Sequence, residues 1–277
     1  MKRVVIIGLG WLGLPLGVSL ITKNWQVSGS KTTQDGVESV RTRGINGYVL
    51  KLTPKLICNK QDLKNLLSAD AMVITLPATR TISSQTQISN YLVAIQTLVQ
   101  TALNFPISRI IFTSSICVYE KSLLSINENA TVKPHNVTGR ILLEAENWLS
   151  CLKRVSVDIL RLSGLVGPQR QPGTFLAGKT ALKNGSHGVN LVHLDDVISA
   201  IILVLKKSSG GDIYNLSAPK HPARNKFYPQ AAIQLGLTPP TFQVDDTREF
   251  GQIIDGSKIC RDLGFSYRYP DPLYMIE

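Results

Sequence analysis

Six residues near the start, Gly8-Leu9-Gly10-Trp11-Leu12-Gly13, have the spacing GxGxxG. Glycines at these intervals suit a pyrophosphate cradle. The first allows a tight turn, the second lets the backbone approach phosphate oxygens, and the third lets a following helix pack closely on the preceding strand. The amides from Gly10 through Trp11 and Leu12 to Gly13 are the expected donors, reinforced by the positive end of the helix that follows. About twenty residues on, an NAD site ordinarily carries an acidic residue for the ribose 2′-hydroxyl. Here the chain reads Ser30, Lys31, Thr32, Thr33. A carboxylate repels a 2′-phosphate, whereas a lysine and three hydroxyls can hold one, so NADP(H) is favoured over NAD(H). The competing reading leaves Lys31 pointing into water.

Such a loop works only between a strand and a helix. Arg3 to Ile7 is a β-branched run suited to a buried parallel strand, and Pro15 falls where a first helical turn tolerates it. The apolar stretch from Val4 to Ile21 is broken by glycines and that proline and runs into polar residues, so neither a signal peptide nor a membrane span is indicated. Further strands are expected at Gln26 to Ser28, Tyr48 to Leu52, Ala71 to Leu76, Arg109 to Thr113, Val157 to Leu162 and Ile213 to Leu216. Helices are expected over Gln34 to Arg43, Gln61 to Leu67, Ile88 to Leu103, Arg140 to Leu152 and Asp196 to Lys206. Asp195 fits as N-cap of the last helix, and Gly210-Gly211 as its C-terminal stop. The alternation predicts an α/β fold, a Rossmann-like doubly wound parallel sheet. Proline-punctuated pieces after Ser217 and an irregular stretch from Pro168 to Gly188 predict a small C-terminal substrate-binding lobe. The expected division is 1–167 with 189–217 for the dinucleotide domain, and 168–188 with 218–277 for the lobe.

The chain has 277 residues and a net charge of +11, with 30 basic against 19 acidic residues. The basic residues are scattered, with no block of like charge and no interleaved aromatics, so nucleic acid is not an expected partner. The charge is either a solvated surface or a field that attracts anionic small molecules. Cys58, Cys117, Cys151 and Cys260 lie far apart, without zinc spacing or a CxxC pair, and read as reduced thiols of a cytoplasmic chain. No metal site is expected, and the composition leaves the oligomeric state open.

Several segments agree in order and spacing: "GLGWLG", "ADAMVITLPA", "RIIFTSSICVY", "VDILRLSGLVGP", "VNLVHLDDV" and "SKICRDLGF". Together they resemble an extended short-chain dehydrogenase/reductase of the nucleotide-sugar epimerase and dehydratase branch, over nearly the whole chain. The resemblance implies about seven parallel strands and a bound dinucleotide lined by Leu76, Pro77 and Ala78, with Leu162 and Ser163 facing the nicotinamide. It also implies a catalytic Ser, Tyr and Lys. Ser115, four residues before Tyr119, takes the serine position. Aligned on "TGRILLEAE", the tyrosine position holds Thr138 and the lysine position Leu142. The lysine normally lowers the phenol's pKa so that it can exchange a proton near neutral pH. Threonine is too weak an acid to replace it, and leucine brings neither charge nor hydrogen bonds.

Other groups are weighed for the vacant role. Tyr119 is the nearest phenol, a candidate substrate contact that more readily packs beneath the site. His135 lies in a loop and reads as solvent-facing. Lys179 suits an anionic substrate group or a plain surface. His193 is expected to brace its loop, and Arg161 to be paired within its strand. The expected function is an NADP(H)-binding oxidoreductase or epimerase lacking the Tyr–Lys pair, acting on a polar, nucleotide-linked or small carbonyl substrate. The alternative is a catalytically inactive dinucleotide-binding redox sensor or regulatory module.

Overall fold

The computed structural model describes residues 2–78, 85–122, 125–244 and 251–276. Seven strands form the main sheet: β1 (Arg3–Ile7), β2 (Gln26–Lys31), β3 (Asn46–Val49), β4 (Ala71–Ile74), β5 (Arg109–Ser115), β6 (Ser156–Leu162) and β7 (Ile213–Leu216). Their order is β7-β6-β5-β4-β1-β2-β3. The pairs β1–β2, β1–β4, β2–β3 and β4–β5 are parallel. All four residues of β4 are buried, as expected of a strand covered on both faces.

Helices α1 (Gly13–Ile21), α2 (Gln34–Arg41), α3 (Lys60–Leu67), α4 (Gln85–Ala102), α5 (Val137–Ser150) and α6 (Leu194–Lys206) alternate with the strands, followed by α7 (Arg224–Gln234) and α8 (Lys258–Leu263). The path from β1 runs to β2 and β3 on one side, while β4 opens the other half. The carboxyl ends of β1 and β4 are therefore the switch point where loops diverge and ligands bind in such sheets.

Two expected caps are corrected. Helix α6 starts at Leu194, so Asp195 lies inside its first turn and does not cap it. Asp196, 1% exposed, instead accepts the Arg268 and Tyr269 amides at 2.7 and 3.1 Å. At the other end α6 stops at Lys206, short of Gly210-Gly211. The Lys207 amide donates to Val204 O, and its ammonium pairs with Asp158 and Asp212. Gly211, at φ +101°, serves the turn into β7. The expected strand Tyr48 to Leu52 is split, because Lys51–Leu52 pairs antiparallel with Leu56–Ile57 across a turn closed by Thr53 N–H on Lys55 O.

The chain divides into two compact units. The first comprises Met1–Val118, Val132–Leu160 and Ile201–Ile213; the second comprises Tyr119–Thr131, Arg161–Ala200 and Tyr214–Glu277. In the first, the amino ends of β5 and β6 are locked by Arg109, which donates to Asp158 Oδ2 at 3.0 and 2.7 Å, with Lys207 on Oδ1 at 3.2 Å. The second has its own apolar core, including Val166, Leu191, Phe227, Ala231 and Met275. Among the described residues no helix is long and apolar enough to cross a membrane.

Candidate functional site

The glycine loop follows β1 and has the expected construction. Gly8 adopts φ +100°, the left-handed region that favours glycine. A Cβ on Gly13 would lie 2.2 Å from Gly8 O, so the third glycine is required for α1 to approach β1. A Cβ on Gly10 would meet nothing within 4 Å, which leaves the backbone face open to a ligand. Among the described residues the N–H groups of Leu12 and Gly13 have no protein partner, while Leu14 N–H is bonded back to Gly10 O at 3.0 Å. Free amides at a helix start beside an open glycine fit a pyrophosphate.

Neighbouring side chains hold this loop in shape. Ser30, expected among the phosphate ligands, instead supports the loop from beneath. It is 5% exposed and its Oγ accepts the Gly8 amide at 3.0 Å. Thr75 at the end of β4 donates its hydroxyl to Gly8 O at 2.7 Å. Sequence reasoning gave Thr75 no role; a polar residue ending an apolar strand was the available signal. Lys31 is partly buried, with its stem 3.3 Å from the position of a Cβ on Gly36 in the first turn of α2. Thr32 and Thr33 are exposed, and Thr33 caps α2 by accepting the Gly36 amide at 3.2 Å. Leu76, Pro77 and Ala78 follow β4, and Tyr91 donates to Leu76 O at 3.0 Å, its phenol pushed well up by burial.

Ser115 ends β5 and is partly exposed. Its Oγ accepts the Cys117 amide at 3.3 Å, and its hydroxyl also lies against the Cys117 thiol. Burial raises the Cys117 thiol, keeping it protonated. Ser114 points to the other face, where its hydroxyl bonds the buried carboxylate of Glu146 on α5. Helix α5 begins against this turn: Asn136 caps it, and a Cβ on Gly139 would lie 2.3 Å from Cys117 O. Thr138 is therefore in the first turn beside the Ser115 loop, and Leu142 one turn on is 4% exposed.

Within the second unit, Tyr119, weighed both as a packing residue and as a substrate contact, packs as a buried support. It is 1% exposed, donates to Asn215 Oδ1 at 2.7 Å and accepts Arg161 Nη1 at 2.9 Å. Burial raises its phenol despite the guanidinium. Arg161 is thus paired within its strand, as expected. Leu162 and Ser163 are buried, and Ser163 Oγ and Ser217 Oγ are the buried side-chain oxygens without a hydrogen-bond partner among the described residues. His193 braces its loop: it packs on Tyr269 with ring centres 3.9 Å apart, and its Nδ1 accepts the Asp195 amide at 3.2 Å. Lys179 and His135, in different units, are both exposed. Among the described residues no group of three His, Cys, Asp or Glu side chains could hold a metal ion.

Comparison with known proteins gives this geometry relatives. The chain is 56% identical over 275 residues to the protein YeeZ of Escherichia coli K12, covering 99% of each. Its fold is similar to UDP-glucuronic acid 4-epimerase from Bacillus cereus in complex with NAD, with a TM-score of 0.79, 16% identity and coverage of 100% and 96% of the two chains. It is similarly close to a short-chain dehydrogenase/reductase superfamily protein from Agrobacterium tumefaciens with bound NAD, with a TM-score of 0.79, 17% identity and coverage of 99% and 95%. Residues 4–217, from β1 through β7, match the NAD dependent epimerase/dehydratase family, and the chain belongs to that family.

Proposed function

We propose that the chain is an NADP(H)-binding oxidoreductase or epimerase of the extended short-chain type, acting without the family's Tyr–Lys pair on a polar, nucleotide-linked substrate. The observation that carries this reading is the loop itself: left-handed Gly8, open Gly10, close-packed Gly13 and free amides at Leu12 and Gly13. Those amides hold the pyrophosphate, and Lys31 with Thr32 and Thr33 holds the 2′-phosphate. Leu76, Pro77 and Ala78 line the dinucleotide, while Leu162 and Ser163 contact the nicotinamide, where Ser163 Oγ has a hydrogen bond to give. A bound dinucleotide would supply hydride transfer.

The remaining chemistry belongs to the chain. Ser115, its Oγ already accepting the Cys117 amide, donates a hydrogen bond to the reacting oxygen and polarises it, keeping its own proton. Thr138 and Leu142 move no proton, and a positioned acid or base is ordinarily worth about 10² to 10⁴ in rate. Turnover therefore rests on positioning and on proton exchange with water. Exposed Lys179 is the proposed contact for an anionic substrate group. The second reading, an inactive dinucleotide-binding module, is favoured by the same two positions, because buried Leu142 puts an apolar group where the family has its lysine.

Calorimetric titration with NADPH and NADH tests the proposal, with Lys31→Asp as the diagnostic variant. Micromolar NADPH binding, weaker NADH binding and a loss in the variant confined to NADPH support it. No binding of either dinucleotide refutes both readings.

A further inference from the structure

The carboxyl ends of β2 and β3 lie side by side, with Ser30 opposite Tyr48 and Lys31 opposite Val49. Leu50 N–H donates to Lys31 O at 2.8 Å, the bond that closes this last pair. Leu50 is 3% exposed, its side chain turned inward. Alternation along an extended chain then puts Lys51, the next residue, on the same side as Val49 and Lys31. Lys51 is exposed and opens the short hairpin formed by Lys51–Leu52 and Leu56–Ile57, which holds the chain extended at this point.

Two residues of rise and one strand spacing separate Lys31 from Lys51, about 8 Å between Cα atoms, which two four-carbon stems can close on a single phosphate. Neither lysine has a carboxylate partner among the described residues. The stem of Lys31 lies on the first turn of α2, and that turn also carries exposed Asp35. Lys31 alone cancels Asp35. A second lysine leaves the edge net positive.

We propose that Lys51 is a second ligand of the adenosine 2′-phosphate and sets the preference for a 2′-phosphorylated dinucleotide. The proposal rests on the NADP(H) reading above. It adds a specificity residue from a strand that the GxGxxG pattern and its downstream segment do not include.

The test is calorimetric titration of the full chain with NADPH, NADH and adenosine 2′,5′-bisphosphate, at low and moderate salt, on wild type, Lys51→Gln and Lys55→Gln. Lys55 lies in the turn of the same hairpin and controls for general surface charge. The expected result is a loss of about threefold to tenfold for NADPH and the bisphosphate in Lys51→Gln, with NADH changed by less than about twofold. The salt dependence of NADPH binding should flatten in the same variant. An unchanged NADPH-to-NADH ratio in Lys51→Gln, with the preference intact in wild type, overturns the role of Lys51 and spares the NADP(H) reading. An equal loss in Lys55→Gln also overturns it, by showing a diffuse field rather than a ligand. A wild type that binds NADPH and NADH alike removes both readings.

Discussion

Gly10 and Gly13 are three residues apart, and the structure requires opposite consequences from the same added methyl group. In Gly13→Ala the Cβ would sit 2.2 Å from Gly8 O, about 1.2 Å inside the 3.4 Å limit of ordinary contact, and only 2.9 Å from Thr75 Oγ1. The obstacle is backbone, so α1 must shift away from β1. Overpacking of this kind costs about 1–3 kcal/mol, against at most about 1 kcal/mol regained from alanine's helix preference. A clash of this depth with backbone takes the upper end of that cost, a net of about 2 kcal/mol. Each kcal/mol moves Tm by about 2–4 °C in a domain of this size, so a fall of roughly 4–8 °C is expected. Gly10→Ala meets nothing within 4 Å, and its backbone is not left-handed, so Tm should stay within about 1 °C of wild type. Its methyl group would instead occupy the space reserved for the pyrophosphate and weaken NADPH and NADH together by about tenfold or more. Thermal unfolding without ligand and calorimetric titration separate the two effects. Wild-type Tm in Gly13→Ala would refute the close helix approach, and unaltered dinucleotide affinity in Gly10→Ala would refute the cradle.

Asp158→Ala should destabilise the first unit by about 3–5 kcal/mol, measured by urea unfolding, because it takes from Arg109 its carboxylate partner beside a fully buried position and leaves Lys207 with the Asp212 carboxylate. A loss below about 1 kcal/mol would show that water reaches those cations. His221 donates to Val189 O through Nδ1, and burial lowers its pKa below the ordinary 6.5; His193 is lowered by burial as well. Below pH 6.5 the unfolded chain binds protons that the folded chain resists, so the stability these histidines provide above 6.5 is lost as pH falls towards their folded values. Asp196, raised by burial, acts in the opposite sense from 3.8 upward. The urea midpoint should therefore be lower at pH 5.5 than at pH 7.5, and His221→Gln should shrink that difference; an identical difference in the variant would exclude His221.

The doubly wound fold was legible because its signals are local. A β-branched run before GxGxxG, Pro15 in the first helical turn and the alternation of strand and helix patterns each depend on residues close in the chain. The positions of Gly8 and Gly13 imposed their roles directly, since a φ of +100° favours glycine and a Cβ on Gly13 would meet Gly8 O. What the neighbours of each side chain would be was not legible. Ser30 reads as a phosphate ligand until the strand order brings it under Gly8, and the partners of the Tyr119 hydroxyl, Arg161 and Asn215, lie far along the chain. Asp195 reads as a cap until the helix starts one residue earlier, at Leu194. Short-range pattern determined which elements form and where the glycine loop leaves its backbone bare. Only the tertiary structure decided which polar groups remain free to bind, because a hydrogen bond spent on a distant partner leaves no trace in local sequence.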